Sequence, residues 1–203
     1  GSALYKPGLD AAAVGARARA FVDGLRVTDA AMVEVVEMVL AGTVNKHVAG
    51  LITRAGALAV GVCGKDGGMI RARKLTHTVQ GPDGGAEHHV DLGFVGEPAE
   101  VDVRVIHALT GTGLIPVIAP MGMDEHGQTY NINADTVAGA VAGALGAKRL
   151  LMLTDVAGVL DRERRLIPGM TVADVEANRL ILARTADGEE GRHEIGRASC
   201  RER

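Results

Sequence analysis

Between Met32 and Ile52 the apolar residues Met32, Val35, Val36, Val39, Leu40, Val44, Val48, Leu51 and Ile52 recur largely at three- and four-residue steps. That spacing predicts an amphipathic helix of about six turns, with Glu34, Glu37, Asn45 and Lys46 on its other face and Thr28 or Asp29 as its N-cap. Residues 4–20, rich in Ala and Arg, also have helical character. Leu58–Val62 is a short apolar run of strand type, and Met69–Leu75 alternates apolar and polar positions. Lys65-Asp66-Gly67-Gly68 stands between them, and Asp-Gly between two strand-like runs predicts a hairpin.

Residues 78–88 form a polar loop by composition, followed by a strand near Val90–Val95. Asp102 is placed to cap a helix through Val105, Ile106 and Leu109, which Gly111-Thr112-Gly113 ends ahead of the apolar strand Leu114–Ala119. Asp124-Glu125-His126-Gly127 reads as a turn before a strand over Gln128–Ile132. Ala134–Ala147 then reads as a helix whose many Ala and Gly residues permit close packing on a sheet. Arg149–Leu153 has the composition of a buried strand. Thr171-Val172-Ala173-Asp174 has the form of a capping box with Asp for Glu, opening a helix to about Ala183. Helices alternating with single apolar strands predict an α/β sandwich around a mostly parallel sheet, with ligands at the carboxyl ends of the strands.

Composition narrows the function classes. Hydrophobic residues make up 47% and charged residues 23%, the mix of a soluble globular protein. Aromatic residues are only 2%, so the core is built from aliphatic side chains and few surfaces exist for stacking bases. A net charge of −3 gives no basic footprint for nucleic acid, and no membrane span or signal segment is expected, which suits a cytoplasmic protein. Residues 194–203, Glu-Ile-Gly-Arg-Ala-Ser-Cys-Arg-Glu-Arg, resemble the conceptual translation of a sequencing adapter. They are set aside as a non-native tail, leaving 1–193 as one domain with Cys63 as its cysteine, a buried thiol in an apolar run.

The densest polar chemistry lies in Tyr130-Asn131-Ile132-Asn133-Ala134-Asp135, at the mouth of a predicted helix. A helix N-terminus presents unpaired N–H groups and a partial positive charge, which attract phosphates and carboxylates. Asn133 is explained as the N-cap; Asn131 and Asp135 are left between a structural and a ligand-binding role. Arg26, in Gly24-Leu25-Arg26-Val27-Thr28, precedes a helix start and could offer a bidentate donor to a carboxylate or phosphate, or be a solvated loop residue. Thr154-Asp155 ends a predicted strand at a Gly-containing turn, a plausible nucleotide edge. The Lys65–Gly68 turn has the wrong order for a phosphate loop. Glu87-His88-His89-x-Asp91 has metal-ligand residue types, but strand alternation sends adjacent histidines to opposite faces, so no metal site is expected.

Phe21–Asp29, Glu37–Lys46, Gly64–Gly67, Asp91-Leu92-Gly93-Phe94-Val95-Gly96, Tyr130–Asp135 and Leu153–Leu160, in this order, resemble the acetylglutamate kinases of the amino-acid kinase family. The resemblance covers roughly residues 20–185. It implies a three-layer sandwich around a mostly parallel open sheet, incomplete in this chain, and a homo-oligomer. It also implies phosphorylation of the γ-carboxylate of N-acetyl-L-glutamate by ATP with Mg²⁺, the second step of arginine synthesis from glutamate. By the same resemblance, Arg26 holds the substrate α-carboxylate, Asn131 hydrogen-bonds the substrate and Asp135 organises the catalytic lysines. Asp155, Val156, Ala157, Gly158, Val159 and Leu160 form part of the adenine and ribose site.

Three family features do not appear where the pattern requires them. The Lys-x-Gly-Gly and Gly-Gly-Gly loops do not precede Phe21, and a Gly-Gly-Met-Ile-Pro-Lys segment does not follow residue 185. Without both catalytic lysines the chain is expected to be a fragment without turnover. Two alternatives stand beside it: another amino-acid kinase, or a non-catalytic binding or regulatory module.

Overall fold

The computed structural model describes residues 21–22, 25–26, 28–80, 87–153, 158–159 and 165–177. They fall in two compact units divided after Leu150. The helical segment expected at 4–20 and the tail 194–203 lie outside the described residues.

The first unit opens with the short hairpin of β1 (Phe21–Val22) and β2 (Leu25–Arg26), then the long helix α1 (Ala30–Arg54). Asp29 is the cap: its backbone is extended and its Oδ1 accepts from Met32 N at 2.8 Å. Midway, Met38–Val44 winds as a π-helix. A π insertion adds a residue and so turns everything beyond it by roughly 100°. Ahead of it the predicted stripe is buried at Met32 and Val35, but beyond it the buried positions are Asn45 and Ala49. These lie one place on from Val44 and Val48, which are 45% and 36% exposed. Asn45, expected on the polar face, is therefore inside. Its Nδ2 donates to Val62 O at 3.2 Å and Val117 O at 2.7 Å. The helix is long and apolar enough to cross a membrane by length and composition; in this unit its Met32, Val33 and Val35 are buried.

β3 (Ala59–Cys63) runs parallel to β8 (Ile115–Ala119), in register from Ala59 with Ile115 to Cys63 with Ala119. The hairpin expected after β3 does not form. Cys63 N donates to Asp66 Oδ2, Gly67 and Gly68 take φ of 61° and 67°, and Ile70 N returns to Gly64 O. That turn delivers β4 (Ile70–Lys74) to a different sheet. There β4 pairs antiparallel with β7 (Val95–Val101), which pairs parallel with β10 (Thr129–Ile132), which pairs antiparallel with β9 (Met121–Met123). β9 closes back on β4 at Arg71 and Met123.

The parallel pairs expected of the fold are present, but an open sheet is corrected to a closed, mixed ring of β10, β7, β4 and β9. Gly122 permits the closure: a Cβ there would lie 2.9 Å from Ala72 Cβ and 3.0 Å from Ile132 Cδ1. The loop expected at 78–88 is corrected at both ends, where β5 (His77–Gln80) and β6 (Glu87–Val90) pair antiparallel and exchange backbone hydrogen bonds despite their polar composition; residues 81–86 lie outside the described residues.

Met69, Ile70, Ala72, Tyr130 and Ile132 from the ring and its approaches form the main core. Ile106 joins them from α2 (Arg104–Thr110) and Val137 from α3 (Ala134–Ala144). Val33, Cys63, Ala119 and Met121 form a second cluster, and burial pushes the Cys63 thiol above its ordinary range.

In the second unit the buried strand expected at its start is absent. Leu151 and Leu153 are 82% and 98% exposed and carry no ladder. An apolar run becomes a strand only where a neighbour offers unpaired N–H and C=O groups. The capping box does form, ahead of α4 (Val172–Ala177): Thr171 Oγ1 accepts from Asp174 N, and Thr171 N donates to Asp174 Oδ2 at 2.8 Å.

Candidate functional site

β10 runs directly into α3 through Asn133, whose backbone is extended at φ −60°, ψ 131°. Its Oδ1 accepts from Asp135 N at 2.9 Å and Thr136 N at 3.1 Å, so capping fully accounts for this residue. Asp135 stands exposed in the first turn, a carboxylate beside the positive end of the helix. Asn131 is half-buried in β10, between Val95 of β7 and Met121 of β9. Its N–H donates to Phe94 O at 2.9 Å.

Under Asn131 the buried Tyr130 donates its hydroxyl to Asp124 Oδ2 at 3.2 Å. Burial, and then the Asp124 charge, push the Tyr130 phenol above its ordinary value. Burial acts upward on Asp124 too, but the N–H groups of Gln128 and His126 and the Tyr130 hydroxyl outweigh it and hold that carboxyl below its usual range. This network shapes the predicted turn before β10: Gly127 N also donates to Asp124 O.

Arg26 closes β2, paired across the hairpin with Phe21. Two residues on, the fully buried Thr28 crosses the segment ahead of β7. Its N–H donates to Leu92 O at 2.9 Å and its carbonyl accepts from Phe94 N at 2.6 Å. Phe94 O in turn takes the Asn131 N–H. The strand carrying Arg26 is thus tied through Thr28 and Phe94 to the strand carrying Asn131, and Asp135 follows at the mouth of α3. Beside this junction Lys74, last residue of β4, pairs with Asp91 Oδ1 at 2.8 Å. The Lys74 ammonium and the Gly93 N–H hold the Asp91 carboxyl below its usual range. Reasoning from residue types missed Thr28, because its contribution is backbone, and Gly93, whose only mark in the sequence is its place in Asp91–Gly96.

Of the proposed nucleotide residues, Asp155, Val156, Ala157 and Leu160 lie outside the described residues, while Gly158 and Val159 belong to the second unit. Gly158 takes φ 140°, where a Cβ would lie 2.9 Å from Leu166 Cδ1, and Val159 O accepts from Ile167 N at 2.8 Å. Among the described residues no three His, Cys, Asp or Glu side chains gather where a metal ion could sit.

Residues 3–193 match the model of the amino acid kinase family. The chain is 78% identical over 159 residues to the acetylglutamate kinase of Acidiphilium cryptum, an alignment covering 78% of this chain and 53% of that protein. It is 77% identical over 157 residues to the acetylglutamate kinase of Granulibacter bethesdensis, covering 77% of this chain and again 53% of the relative. The chain therefore spans about half the length of the curated relatives it matches. A crystal structure of N-acetylglutamate synthase from Neisseria gonorrhoeae, complexed with coenzyme A and N-acetyl-glutamate, shares the fold. It superposes with a TM-score of 0.58 at 24% identity, covering 76% of this chain and 33% of that one. The chain belongs to the amino acid kinase family.

Proposed function

We propose that the whole protein is an acetylglutamate kinase, moving the γ-phosphoryl group of ATP to the γ-carboxylate of N-acetyl-L-glutamate in arginine synthesis. Thr28 carries this proposal: two residues beyond Arg26, its backbone is hydrogen-bonded to Phe94, whose carbonyl takes the Asn131 N–H, so the segments that carry the two proposed substrate-binding residues are linked through backbone hydrogen bonds. The 78% identity to an acetylglutamate kinase supports the substrate class. Arg26 grips the α-carboxylate with a two-pronged guanidinium, and Asn131 hydrogen-bonds the same molecule. Asp135 organises the lysines that neutralise the transferring phosphoryl, and Asp155 to Leu160 receive the adenosine, with Gly158 allowing close backbone approach.

Such chemistry depends on positioning and charge neutralisation, which amides, helix ends and lysines supply. One exposed carboxylate at Asp135 suits Mg²⁺ that arrives on the nucleotide phosphates better than a cage of protein ligands. The whole protein is a cytoplasmic homo-oligomer in the three-layer sandwich of its family, with neither nucleic acid nor membrane as partner. The 203-residue chain retains the acetylglutamate half of the site and does not turn over.

Titration calorimetry of this chain should show binding of N-acetyl-L-glutamate, weakened by about tenfold or more in Arg26→Ala. A coupled assay should show no acetylglutamate-dependent ADP release. Turnover within about tenfold of the Acidiphilium cryptum enzyme would contradict the loss of both lysines.

A further inference from the structure

We infer that Leu92–Gly96 is a positioning segment for acetylglutamate, setting the Arg26 hairpin against Asn131, with Gly93 as the residue that makes the alignment possible. The inference rests on the proposed roles of Arg26 and Asn131. Three backbone hydrogen bonds converge here, Thr28 N to Leu92 O, Phe94 N to Thr28 O and Asn131 N to Phe94 O. Gly93 lies between the first two at φ 74°, a conformation that strains any residue with a Cβ. A Cβ on Gly93 would also lie 2.2 Å from Thr28 O and 2.9 Å from Thr28 C, both backbone atoms that cannot swing aside. The second glycine makes way for the other side of the junction: a Cβ on Gly96 would lie 2.7 Å from Tyr130 Cβ.

An ordinary loop entering a strand needs room on neither side. This one makes room on one side for the chain that leads to Arg26 and on the other for the residue beside Asn131. Asp91 holds the bend, its Oδ1 accepting from Gly93 N at 2.8 Å while its carboxylate pairs with Lys74. Gly93→Ala must therefore displace Thr28, two residues from Arg26, while leaving every side chain of the site unchanged.

Calorimetry with N-acetyl-L-glutamate on this chain, together with thermal melts, tests the assignment. Gly93→Ala should bind about tenfold or more weakly, and Asp91→Ala, at an exposed position, about threefold more weakly. A purely structural defect would add to a weakened guanidinium; a positioning defect would not. Arg26→Lys loses the bidentate grip, so Arg26→Lys with Gly93→Ala should bind no more weakly than the weaker of the two single variants. Additive losses would overturn the inference. If Gly93→Ala gives no cooperative melt, Asp91→Ala decides, and wild-type affinity in that variant would overturn it. Failure of the unaltered chain to bind acetylglutamate would overturn the site itself and this inference with it. Binding by the unaltered chain with both variants unaffected would overturn the positioning role alone.

Discussion

In the ring of β4, β7, β9 and β10 each strand has a partner on both sides, and the inward residues Ile70, Ala72, Tyr130 and Ile132 are all buried. Among the described residues β3 and β8 have only each other, and Val60, Val62, Val117 and Ile118 remain half-buried. Leu58 and Ile115, at the start of the pair, are 64% and 43% exposed. The pair is fastened to α1 by both apolar and polar contacts: Val33, Val36, Leu40 and Ala41 pack in the cluster that holds Cys63 and Ala119, while Asn45 bridges a carbonyl of each strand and the Lys46 ammonium donates to Gly61 O. Among the described residues the ring pairs each strand on both sides and hides its own apolar face, whereas the β3–β8 pair has no further strand on either edge. Open apolar edges invite pairing with other chains, so association of this chain should begin at the β3–β8 pair.

Core truncation gives the sharpest test of that difference. Ile70→Ala removes a fully buried side chain from the ring and should cost about 2–5 kcal/mol in urea unfolding. Val60→Ala, in the half-exposed pair, should cost under about 1 kcal/mol, since less area leaves water on folding. Equal losses would break the comparison. Asn45→Ala comes next. It strips the Val62 and Val117 carbonyls of their shared donor at a site only 3% exposed and should cost about 1–3 kcal/mol. Loosening confined to the pair, read as faster amide exchange in β3 and β8 with the ring unchanged, would sharpen the contrast. Asn133→Ala is smaller. Losing the cap of α3 should lower the urea midpoint by the equivalent of about 1 kcal/mol, and no change would mean the helix is held by packing alone.

The same contrast explains what could be read from residue order. Local chemistry was legible: the Asp29 and Asn133 caps, the Thr171 capping box and the Asp124 turn each involve groups within a few residues. So was α1, but not its inner face beyond Val44, because a π turn slips the register by one residue without altering the apolar pattern. Asp-Gly at Asp66-Gly67 correctly marked a turn, yet nothing local says which strand the emerging chain will join, and β4 joined β7. β9, three residues long, carries no period to detect. In the site, Asn131, Asn133 and Asp135 were visible through the helix mouth. Thr28 and Gly93 were not, since a carbonyl pressed against a distant glycine leaves no local pattern.

Acid and alkali should act on the two regions unequally, with the smallest effect of the set. Asp124 and Asp91 both belong to the ring side, and both carboxyls are held below their ordinary value of 3.8 in the folded chain. The unfolded chain then binds more protons at low pH, so their contribution is complete above that value and fades as pH falls through the folded one. Tyr130 has the opposite sense. Its phenol is raised above 10.0, so stability it lends is present below that pH and is lost as pH climbs through the folded value. Asp124→Asn should flatten the acid limb of urea midpoint against pH, and Tyr130→Phe the alkaline limb, while Val60→Ala leaves both slopes as they were. If Asp124→Asn leaves the acid limb as steep as before, the Gln128 and His126 N–H groups and the Tyr130 hydroxyl do not hold the Asp124 carboxylate in the way their geometry implies.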